Sequence, residues 1–154
     1  MSLKKNLLVS LFVAGGIALT SQVGLAKSNT MTVYKNEFCG CCGGWIATLV
    51  QLGYKIESKN IEDLDWAKQK FSVPEDMESC HTAVIDGYVV EGHVHPTALA
   101  KMLKERPDIK GIAVPGMPDG ALGMEYDANA QYTVYAFGGS LVNKTEPYYE
   151  VGKK

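Results

Sequence analysis

A mixed-sheet α/β domain is the fold this sequence predicts, on three observations. Strand-like and helix-like stretches alternate in the order β-α-β-α-β-β-α. Asp86-Gly87, between two runs rich in β-branched and aromatic residues, marks a hairpin within that series. Once its leader is set aside, the chain has the length of one domain with a substantial core.

Residues 1–26 stand apart from the fold. Lys4 and Lys5 precede an apolar run over residues 7–19, and Gly24-Leu25-Ala26 offers the small residues that signal peptidase reads. This is the pattern of a secretory signal peptide cleaved after Ala26, and the run is too short for a stable membrane anchor. Cleavage takes 26 of the 154 residues, with two lysines and no acid. Residues 27–154 then form a single 128-residue domain, and the net charge moves from −2 to −4. A mildly acidic exported domain with no basic stripe disfavours nucleic acid as a partner.

The elements follow in order. Residues 31–34 form a strand that enters a cysteine turn. A helix is expected from Gly43, with Trp45, Ile46, Leu49, Val50 and Leu52 near helical spacing and Gly53 as its stop. Residues 54–61 alternate as a strand. A second helix covers residues 62–71, and Pro74 breaks the chain after it. Residues 82–85 and 88–91 form the hairpin. Pro96 opens a third helix, carrying Leu99, Met102 and Leu103 and ending before Pro107. A Gly/Pro-rich loop is expected over residues 111–123, then a last strand over 132–137 and a frayed tail after Gly138.

The chemistry concentrates in Cys39-Gly40-Cys41-Cys42, where the first strand meets the first helix. That element order, with a Cys-x-x-Cys motif at that junction, is thioredoxin-like. Cys80 would then fall at the start of the third strand, facing the motif. Two structural disulfides are a poor account of four exported cysteines, because bridges within residues 39–42 close tiny loops and constrain the unfolded chain little. A third thiol beside a Cys-x-x-Cys pair suits a soft metal. Four thiols, three histidines and several methionines point to copper. The helix N-terminus favours thiolate over thiol, which serves a metal ligand and a redox nucleophile equally. Two readings therefore stand beside copper. One is a thiol–disulfide oxidoreductase with Cys39 attacking and Cys42 resolving. The other is a closed zinc site of four thiolates. An iron–sulfur cluster suits an oxygen-exposed exported domain less well.

A two-residue Asp86-Gly87 turn places Cys80 opposite His93 and His81 opposite Gly92. Opposed side chains share a face with Cβ atoms about 5 Å apart, so Cys80 and His93 converge while His81 points to the other face. His95 shares the face of His93 but lies further along. Met102 fits a helical core face. Met117 and Met124 sit in the irregular loop, where a thioether is open to soft Cu(I).

Six ordered blocks resemble the CopG-type periplasmic copper-resistance proteins. They are Val33-Tyr34-Lys35, Cys39-Gly40-Cys41-Cys42-Gly43, Ser79-Cys80-His81-Thr82-Ala83, Asp86-Gly87-Tyr88-Val89, Glu91-Gly92-His93-Val94 and residues 111–118. The resemblance spans residues 31–137 and departs at Gly120-Ala121-Leu122-Gly123-Met124, where the family is expected to carry Gly-Ser-Pro-Gly-Met. It implies a thioredoxin-like fold and a role in periplasmic copper tolerance. It further implies copper held by Cys39, Cys41, Cys42 and Cys80, in a multinuclear thiolate-bridged form, with His93, Met117 and Met124 nearby. Interconversion of Cu(I) and Cu(II), and exchange of copper with other periplasmic copper-handling proteins, follow as expectations.

Overall fold

The computed structural model describes residues 30–153, so the expected signal peptide lies outside the described residues. Seven strands form one mixed sheet in the order β2-β1-β3-β4-β5-β6-β7. They are β1 Thr30–Lys35, β2 Lys55–Asn60, β3 His81–Ile85, β4 Tyr88–Glu91, β5 Gly111–Ala113, β6 Tyr132–Gly138 and β7 Leu141–Val151. Three helices join them: α1 Gly40–Gln51, α2 Leu64–Phe71 and α3 Pro96–Glu105. β1 pairs parallel with β2 and antiparallel with β3, so β1 lies at the centre of the N-terminal half.

Each helix is bounded by an identifiable device. The Cys39 sulfur accepts from the Cys42 N–H at the start of α1, and the Asp63 carboxylate accepts from the Trp66 N–H at the start of α2. The His95 ring accepts from the Thr97 N–H ahead of Pro96 at the start of α3. Ser72 and Arg106 end α2 and α3 in the left-handed region. The β3–β4 turn has positive φ at both Asp86 and Gly87, as a two-residue hairpin with right-twisted strands requires.

The sheet is covered on both faces. On one, Trp45 and Leu49 of α1 and Ala98, Leu99 and Met102 of α3 bury Met31, Val33, Ala83, Ile85, Val90 and Ile112. On the other, the segment after α2 brings Val73 and Met77 against Val89, Ala113 and Phe137, with Phe71 packed alongside.

Three expectations are corrected. Helix α1 starts at Gly40 rather than Gly43, because the Cys39 sulfur caps it and Cys41 and Cys42 become its first turn. The loop over residues 111–123 opens with β5, which pairs with both β4 and β6. The chain after Gly138 is ordered as β7, paired with β6 through two irregularities in register, and is not a frayed tail.

Candidate metal centre

The centre forms where the start of α1, the entry to β3 and the exit of β4 meet. Cys39 Sγ lies 3.5 Å from Cys41 Sγ, and Cys42 Sγ lies 3.6 Å from Cys80 Sγ. Cys39 and Cys42 are joined as a disulfide, while Cys41 and Cys80 are free thiols. The four sulfurs all fall within 4.8 Å of one another. That spacing lets one small soft ion, or a few, touch several of them once the disulfide is reduced.

Cys80 also belongs to a second group of donors. His93 Nε2 lies 2.9 Å from its sulfur and His81 Nδ1 lies 3.4 Å away. The tautomer of His93 follows from its other nitrogen. Nδ1 sits 2.6 Å from the Leu122 carbonyl oxygen, which only an N–H can face. Nε2 is therefore the bare nitrogen turned towards Cys80, in the manner of a metal-binding histidine oriented through its far side. The two histidine rings lie edge to face, 5.2 Å apart, and His81 packs 4.5 Å from the Trp45 ring. His81 Nε2 is buried without a hydrogen-bond partner among the described residues.

Burial sets the protonation of the centre. It pushes the Cys80 thiol up to about 12, with the neighbouring Cys41 adding to the rise. It lowers His93, and it pushes His81 down to about 3, with His93, Lys68 and Lys35 opposing any charge there. Both imidazoles are thus neutral at pH 7, and Cys80 S–H donates to His93 Nε2. A metal taking Cys80 would displace that proton.

Cys80 and His93 converge as the hairpin pairing predicts. His81 does not point away from them. Its strand neighbour in β1 is Lys35, and it lies two residues from Ala83 on the face that packs against α1. Beyond Glu91 the chain turns at Gly92, with φ +72, so strict alternation no longer separates the rings. The sequence signal for His81 was its place in the buried Ala83–Ile85 alternation. His95 belongs to neither donor group. It caps α3 and stacks on Tyr149. Met117 is half exposed, next to Gly116, which bridges Ser79. Met124 lines a cleft of about 530 Å³ with Thr48, His95 and Tyr126, and none of the four cysteines lines it. Met77 belongs to the core below α2.

Leu122 and Gly123 strap this centre to α1. A Cβ on Gly123 would stand 2.5 Å from the Cys41 carbonyl oxygen and 2.7 Å from the Trp45 nitrogen, so only glycine allows the approach.

A family model described as a protein of unknown function, DUF411, matches residues 77–124, the stretch that carries Cys80, His81, His93 and the strap. Two solved structures, named copper resistance protein CopG, Form 1 and Form 2, each superpose with a TM-score of 0.71. Form 1 is 38% identical, over 79% of this chain and 95% of its own. Form 2 is 40% identical, over 79% and 96%. No curated protein matches the sequence.

Proposed function

The chain belongs to the family of the copper resistance protein CopG, and from that premise we propose that it is a periplasmic copper-binding protein for copper tolerance. The observation that carries this reading is the gathering of four sulfurs within 4.8 Å of one another, contributed by α1 and by the entry to β3. Thiolates in that number suit Cu(I), and bridging sulfurs would let them hold more than one ion. His93 is the nitrogen donor at the edge of the set. Met117 and Met124 complete the proposed ligands as soft donors from the flanking loop. The β-α-β-α-β-β-α part of the chain is read as a thioredoxin-like domain extended by β5, β6 and β7.

Interconversion of Cu(I) and Cu(II) is the proposed activity. Two donor sets share Cys80, one all sulfur and one of two imidazoles with a thiol. The first favours Cu(I), and the second accommodates Cu(II). The Cys39–Cys42 couple balances the electrons. In one turnover the dithiol would lose two electrons and two protons on forming its disulfide, reducing two Cu(II) to Cu(I) and leaving Cys41 and Cys80 as the sulfur donors until the disulfide is reduced again by an external thiol.

A second reading, thiol–disulfide exchange with other proteins, draws on the Cys39–Cys42 disulfide at the N-terminus of α1. Anaerobic titration of the reduced residues 27–154 with Cu(I) against a competing chelator separates the two. Tight binding of more than one copper ion per chain is expected, and Cys41→Ser and Cys80→Ser are expected to lose it, leaving only weaker binding by the remaining sulfurs. Weak copper binding, with insulin reduction intact in both variants, would replace copper handling with dithiol exchange.

A further inference from the structure

We propose that Glu91 is a positioning residue for Cys80, acting through the backbone on either side of it. Glu91 ends β4 fully buried, on the face covered by α2. Its carboxylate is shared among three donors. Oε1 accepts from the Ser79 N–H at 2.8 Å and from Lys68 Nζ at 2.5 Å, and Oε2 accepts from the Thr82 hydroxyl at 2.6 Å. Ser79 and Thr82 bracket Cys80, so one carboxylate grips the chain before and after the thiol.

The grip matters because Cys80 lies just ahead of the formal start of β3. Gly116 adds to it through its bonds to Glu78 and Ser79, and the Gly92 N–H bonds the His81 carbonyl just after the thiol. Among the four sulfurs, Cys80 is the one from outside the α1 turn, and it is common to both donor sets. A shift of its backbone would therefore disturb the all-sulfur set and the histidine set together. Stability is a weak explanation for the Lys68–Glu91 pair. Burying two charges is costly, and apolar replacements of buried pairs are often neutral or stabilising. What the carboxylate does locally is answer a backbone N–H and a hydroxyl that flank a reactive thiol.

The effect on copper rests on the copper-binding reading above. The test is a double-mutant cycle on residues 27–154, with Cu(I) affinity read by chelator competition. Loss of a group that orients a ligand lowers metal affinity about 10- to 100-fold. Glu91→Gln is expected to do so in the native background and to do nothing further in Cys80→Ser, where the positioned ligand is gone. Equal losses in both backgrounds, or no loss in the native one, would overturn the role. Thr82→Val runs the same cycle if Glu91→Gln does not fold. A copper-free arm stands apart from the copper reading. In the disulfide form, Glu91→Gln should change the alkylation rate of Cys80 severalfold and leave that of Cys41 unchanged. Equal rates at Cys80 in both proteins would sink the proposal even if copper binds, and a wild type that binds no copper would leave this arm decisive.

Discussion

His81 shows how burial alone makes a side chain a chemical component. It is wholly buried between Trp45 and His93, and its imidazole is pushed down to about 3, chiefly by loss of water. The folded chain therefore resists a proton that the unfolded chain takes up near 6.5. A group lowered in this way stabilises the fold above 6.5, and that contribution drains away as pH falls through the interval down to about 3. The slope is about 1.4 kcal/mol per pH unit for one such group. His93 and His95, also lowered by burial, act in the same direction. Urea unfolding of the copper-free domain should give a lower midpoint at pH 5 than at pH 7. His81→Phe should shrink that difference, and an unchanged difference would mean that the imidazole is charged in the fold. The sequence placed Cys80 and His93 together because hairpin register is arithmetic. It misplaced His81 because the turn at Gly92 ends the alternation on which that arithmetic depends.

At the scale of elements, α1 supplies three of the centre's four sulfurs from its cap and first turn, and the strap over it orients His93. The helix starts three residues earlier than its apolar spacing suggests, since a cysteine sulfur does the work of a capping oxygen and draws Cys41 and Cys42 into the first turn. The strap reaches this turn only through Gly123, at φ +89 and in close contact with the backbone of α1. Gly123→Ala combines a left-handed strain with overpacking and should cost about 2–4 kcal/mol. Chemical denaturation would measure it. The same change should weaken the Leu122–His93 contact, since Leu122 directly precedes Gly123 in the strap. Sequence reading found glycines here as loop residues. It had no means of seeing which of them touches a helix from a distant part of the chain.

For the whole molecule, the C-terminal hairpin is the largest departure from expectation. β7 pairs along nearly all of β6, Thr133 bonds Glu150, and Tyr148 reaches Glu105 while Lys101 lies over its ring. Ending the chain at Ser140 would leave β6 as an open edge and uncover its half-buried tyrosines. Such a truncation should lower the melting temperature and scatter light on heating, measured by circular dichroism and static scattering. A monodisperse protein with an unchanged transition would show that β7 is dispensable. The strands up to β4 and all three helices were legible in the sequence, because each has its own period, its own cap or its own turn residues. So were the four thiols and the class of metal they suit, since ligand softness belongs to residue type. β5 and β7 were not legible. β5 is three residues long and gains its identity only from neighbours on both sides, while β7 has a partner surface that local pattern does not encode. The tertiary structure alone decided that His81 joins Cys80 and His93 at one buried end of the sheet, and that Glu91 and Leu122 hold them there. Convergence of side chains from distant segments is set by how the layers pack, and no spacing along the chain records it.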